Sequence, residues 1–143
     1  MNAKTSTHTL SFSMTGIPRR VLFAIVVAVG LNLVVFWSAI VAIGPLSFTP
    51  PGAVDPISIT VINIIFALVI PMGVVGTIVW LVARHRPATR TWAAWAGLSF
   101  GVLSAALLFT MGEDLRTTAV LAAFHVIAGI AWFVCLTARR SRA

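Results

Sequence analysis

Four apolar runs, at residues 21–43, 57–83, 92–111 and 119–138, contain no Asp, Glu, Lys or Arg, and they constrain this chain more than any motif does. Each is long enough to cross a hydrocarbon core as a helix, for which about 20 residues suffice. The second run is strongly β-branched, which in water would suggest a strand. At this length in lipid the backbone must satisfy its own hydrogen bonds, so helix prevails. The spans take up roughly 90 residues and leave about 50 for tails and connections, with no room for a soluble domain. Composition agrees: 59% of the 143 residues are hydrophobic and 9% charged, whereas a soluble globular chain is nearer half apolar and a quarter charged. The sequence therefore predicts an all-α membrane protein, a single integral domain built as a four-helix transmembrane bundle.

The distribution of charge sets the expected orientation. The net charge is +7, but the basic residues stand in small groups at the ends of apolar runs rather than along a nucleic-acid-binding face, so no nucleic-acid partner is expected. Lys4, Arg19 and Arg20 precede the first span, Arg84, Arg86 and Arg90 separate the second and third, and Arg139, Arg140 and Arg142 follow the fourth. Nine of the ten basic residues thus fall on one side, with Arg116 alone on the other. By the positive-inside rule both termini are cytoplasmic, in the plasma membrane. So uneven a count argues against dual-topology insertion. Residues 1–20 read as a flexible cytoplasmic tail. A cleaved signal peptide is the rival reading, but its apolar core would run 7–15 residues and end in an A-x-A site, and neither holds here.

Residues 44–56 hold four prolines and two glycines, which forbid a continuing helix. This outer loop between spans one and two is either a plain connector or, through Leu46, Phe48 and Val54, a cover over the bundle mouth. Arg84 to Arg90 form a short basic turn, so spans two and three should be antiparallel. Trp92 and Trp95 suit a membrane interface. Beyond the last turn, Thr118 can cap the fourth helix while Glu113 and Asp114 favour its positive end.

Within the spans a few residues stand out. Ala24, Ala28, Asn32 and Phe36 are four apart and share a face, on which Asn32 is expected to hydrogen-bond to a neighbouring helix. Pro71 leaves the Ala67 carbonyl without its usual donor and predicts a kink. Ala93, Gly97, Gly101 and Ala105 form a small-residue ridge containing a GxxxG pattern, a packing surface either inside the bundle or between protomers. His125 is the only readily titratable side chain within the spans and shares its face with Ala122, Ala128, Gly129 and Trp132. Counted from the outer ends of their runs, His125 and Asn63 both lie on the order of 9 Å deep, with Ser38 and Ser104 nearby. An intramembrane ionisable residue is a candidate functional site, so His125 and Asn63 are the candidate cofactor-binding pair. The plainer alternative is a neutral histidine hydrogen-bonded to Asn63 or a serine.

Other chemistry is not indicated. Cys135 is the only cysteine, so no intramolecular disulfide, CxxC pair or cysteine zinc site can form. The acidic residues Asp55, Glu113 and Asp114 all fall in outer loops, which disfavours a proton-coupled permease. No catalytic pattern and no metal-ligand cluster is present, so no enzymatic activity is expected and the identity of any cofactor stays open.

The basic start Arg19-Arg20, the outer-loop segment Gly44-Pro45-Leu46-Ser47-Phe48 and the final-span run Phe124-His125-Val126-Ile127-Ala128-Gly129 resemble an uncharacterised actinobacterial family of small four-span membrane proteins. The resemblance covers nearly the whole chain and implies the four-span fold without an activity. The reading that follows is an interaction or accessory subunit, in contact with the lipid bilayer and with a second copy or another membrane protein through the ridge and the outer loop. The alternatives are a binder of a lipophilic ligand and a small permease.

Overall fold

The computed structural model describes residues 16–49, 52, 54–111 and 114–138. The N-terminal tail up to residue 15, Glu113 and the arginines after residue 138 lie outside the described residues. The chain forms α1 (Ile17–Ile43), β1 (Ser47–Phe48), β2 (Ile57–Ser58), α2 (Val61–Ala83), α3 (Thr89–Met111) and α4 (Leu115–Thr137). All four helices are long and apolar enough to cross a membrane. The chain is an all-helical multi-pass membrane protein.

The helix ends differ from the apolar runs for local reasons. α1 starts at Ile17, with Pro18 in its first turn, where a missing N–H costs nothing because that donor has no intrahelical partner. It therefore includes Arg19 and Arg20. It stops at Gly44, whose φ of 88° is the left-handed conformation that glycine tolerates, with its N–H donating to the Ile40 carbonyl at 3.0 Å. α2 begins at Val61 because Ile57 and Ser58 are taken into an antiparallel pairing, Ser47 with Ser58 and Phe48 with Ile57. Thr60 caps the helix, its hydroxyl oxygen accepting from the Asn63 N–H at 3.3 Å. α4 begins four residues before the apolar run. Its N-cap is Asp114 and not Thr118, which lies buried in the second turn. The Asp114 carboxylate accepts from the N–H groups of Arg116 at 3.2 Å and Thr117 at 2.9 Å and from the Thr117 hydroxyl at 2.8 Å. Led by the Thr117 N–H, these bonds hold its pKa below the ordinary carboxylate value.

α2 packs on α1, α1 on α4 and α4 on α3, while α2 and α3, though joined by a short turn, meet least of these pairs. Two apolar cores result. At the basic end every helix contributes: Val21 from α1, Val79 from α2, Ala94 from α3, and Trp132 and Leu136 from α4. At the loop end Phe36, Ala39, Ile64 and Phe124 close around Leu46 of the outer loop. Leu46 is 1% exposed, and its carbonyl accepts from the Ile59 N–H at 2.9 Å. Leu46 thus ties the outer loop into the loop-end core, while Val54 stays exposed. α3 contributes nothing to this second core. All four helices therefore meet in the basic-end core, whereas only α1, α2, α4 and the outer loop build the loop-end core.

Candidate functional site

The face Ala24, Ala28, Asn32, Phe36 on α1 is buried as its four-residue spacing requires. Asn32 lies on α1 between the two cores and has no exposed surface. Neither its Nδ2 nor its Oδ1 has a hydrogen-bond partner among the described residues. The expected bond to a neighbouring helix is absent. Ser38 donates to the Val34 carbonyl at 2.8 Å and Ser104 to the Phe100 carbonyl at 2.6 Å. These are intrahelical bonds one turn back, so neither hydroxyl donates to Asn32.

His125 is partly buried, and its Nδ1 lies 2.9 Å from the Leu121 carbonyl. A carbonyl only accepts, so Nδ1 is the donor and in the neutral ring Nε2 is the acceptor. The partner is the backbone of its own helix and not Asn63 or a serine. Ten residues separate Leu115 from His125, placing the ring about 15 Å from the loop end of α4. Asn63 is two residues into α2, about 3 Å from its end, and its carboxamide oxygen accepts from the Thr60 hydroxyl. The shared depth of about 9 Å does not hold, because both helix starts moved, one inward and one outward. α2 and α4 are not among the principal packing pairs. The structure does not bring His125 and Asn63 together.

It does bring Asn32 and His125 to one level. Arg20 of α1 donates through Nη1 to the Cys135 carbonyl at 3.2 Å and to the Ala138 carbonyl, fixing the register of antiparallel α1 and α4. Twelve residues outward from Arg20 on one helix and about twelve back on the other reach Asn32 and His125 respectively. The sequence carried this signal in the two spacings, but only the Arg20 contact says which residues align. Arg20 also satisfies terminal carbonyls of α4, which have no intrahelical donor.

The small-residue ridge on α3 is consumed inside the chain. A Cβ on Gly101 would stand 2.7 Å from the His125 carbonyl oxygen and 3.1 Å from the Gly129 Cα. One on Gly97 would strike the Trp132 ring, whose Nε1 donates to the Ala93 carbonyl at 2.9 Å. Gly101, Ala105 and Gly129 are buried in this α3–α4 seam. An interface between chains through this ridge would first have to part these helices. Pro71 lies on an exposed part of α2, which continues as one helix from Val61 to Ala83.

The chain matches, over residues 12–142, the family described as Family of unknown function (DUF6069), and it belongs to that family. No curated protein and no solved structure matches it.

Proposed function

We propose that this protein is a non-catalytic interaction or accessory subunit of the plasma membrane, with both termini cytoplasmic, whose open side between α2 and α3 receives another transmembrane helix. The observation that carries the reading is the absence of α3 from the loop-end core. Helices joined by a short turn ordinarily pack along their length as antiparallel neighbours. Here α2 and α3 meet less than the other helix pairs consecutive in sequence, and α2 exposes a row of large apolar side chains four residues apart, Ile62, Phe66, Ile70, Val74 and Ile78. On α3, Phe100, Leu103 and Leu107 are similarly uncovered. Lipid tails are as apolar as these groups, so association would rest on shape and van der Waals packing. A gap between α2 and α3 toward the loop would offer that shape. The grouping of nine basic residues at one end supports the orientation.

The test is cysteine cross-linking in native membranes. Cys135 is buried and is the only cysteine, so Cys135→Ala gives a clean background. Cysteines at Phe66, Ile70, Leu103 and Leu107 should cross-link to a second polypeptide, with the adduct mass separating a second copy from a different protein. Val26 and Val34 on the exposed face of α1 should not. Equal cross-linking at all six positions, or none, refutes the reading.

A further inference from the structure

A second feature lies on the other side of α2, at the basic end. There α1 and α2 pack closely through Val21 and Gly76, and beside that contact they leave an apolar groove of about 310 Å³. Pro18, Leu22 and Ile25 form one wall and Gly73, Thr77 and Trp80 the other. Both sets follow a helical stripe, so the groove runs lengthwise between the two helices. Gly73 makes it hollow: a Cβ there would meet nothing within 4 Å. Thr77 presents no free donor, because its hydroxyl is turned back to the Gly73 carbonyl at 2.8 Å. From Gly73 to Trp80 the groove is about 10 Å long, within the roughly 15 Å of hydrocarbon in one leaflet.

Its basic end has a cationic rim. The Arg84 guanidinium lies 4.6 Å from the centroid of the Trp80 ring, over the groove wall, a cation–π arrangement that holds the charge at the mouth. Arg19 follows Pro18 and is exposed, as is Arg86 beyond the end of α2. Arg20 is engaged with the end of α4. No acidic residue is found at this end among the described residues.

We propose that this groove is a binding site for one anionic phospholipid, with an acyl chain between α1 and α2 and the phosphate at Arg84 and Arg19. An apolar slot alone would take any lipid tail. Arg84 over the Trp80 wall, with exposed Arg19 next in sequence to Pro18, would select a negative headgroup, as basic pockets between membrane helices do. The site is separate from the α2–α3 opening and does not depend on it.

The full-length protein, purified in mild detergent and offered equal amounts of phosphatidylglycerol and phosphatidylcholine with identical chains, is examined by native mass spectrometry for retained lipid. Wild type should retain one phosphatidylglycerol, with a preference on the order of thirtyfold from two arginines near the surface. R19Q/R84Q should lose that preference while still holding either lipid weakly. Gly73→Leu, which enters open space and fills the slot, should retain neither. Equal retention of the two lipids by wild type, or undiminished phosphatidylglycerol on G73L, overturns the proposal. The arginine variant alters only the rim, so the test of selectivity stands even if G73L proves unstable.

Discussion

Replacing Asn32 tests the least expected feature of the bundle interior. Its carboxamide is fully buried with both polar atoms unpartnered. A hydrogen bond between membrane helices contributes on average about 0.6 kcal/mol and at most about 1.7. If Asn32 makes none, removing the carboxamide forfeits nothing of that kind. An unsatisfied buried donor or acceptor costs about 1–3 kcal/mol against a hydrated reference. Denaturation in a detergent such as SDS hydrates the side chain only in part, so the low end of that range applies. Asn32→Leu keeps the branched shape and should leave the protein as stable as wild type or raise stability by about 1 kcal/mol. Asn32→Ala should fall close to wild type, since the neighbouring Ala24 and Ala28 allow close approach. The assay is reversible SDS titration in mixed micelles, followed by circular dichroism. The two variants separate the causes. Loss in N32L alone reports overpacking, which typically costs about 1–3 kcal/mol. A loss above about 1.5 kcal/mol in both variants would mean that the carboxamide has a partner and would refute the reasoning.

Two further outcomes follow from the same packing. Gly101→Ala places a methyl against backbone on α4 and should cost about 1–3 kcal/mol in the SDS titration, whereas Gly30→Ala, with nothing within 4 Å of the new Cβ, should be neutral or slightly stabilising; equal effects would contradict the seam described. Asp114, with its pKa held low by the cap bonds, stabilises the start of α4 above the ordinary carboxylate range and loses that effect as pH falls through its lowered value. Hydrogen exchange at the Arg116 and Thr117 amides, corrected for intrinsic rates, should therefore show acid loosening in wild type and none in Asp114→Asn, which caps without titrating.

The number of spans was legible because the solvent dictates it: charge-free runs of this length have no other solution in lipid. The buried face of α1 was legible for the same kind of reason, since Ala24, Ala28, Asn32 and Phe36 repeat at the helical period. Helix starts were less so. Hydropathy marks where a helix enters lipid, whereas caps mark where it begins, and Pro18, Thr60 and Asp114 set those ends by local hydrogen bonding and φ restriction. The depth of the candidate pair His125 and Asn63 depended on those ends, which is why it did not survive. Trp132 looked like one face residue among several. Its role in the seam needs the Ala93 carbonyl 39 positions away, a contact no local pattern encodes.

The glycines show how one residue type takes opposite roles in this bundle. Gly97, Gly101 and Gly129 form the α3–α4 seam and Gly76 meets Val21 across α1 and α2, while Gly73, three residues from Gly76, faces open space. All five have the same side chain and the same helical context, so the sequence gives small-residue positions one common reading. What separates them is the partner opposite. Where a helix of the chain itself comes close, a small residue makes a seam; where none does, it makes a hollow. A hollow persists in a membrane only if lipid or another helix fills it, because a void lacks the dispersion contacts of a packed interior. The lipid site proposed at the Gly73 groove and the helix contact proposed beside α3 both rest on this requirement, as features of this protein that its own helices leave uncovered. Its glycine ridge is where it meets itself.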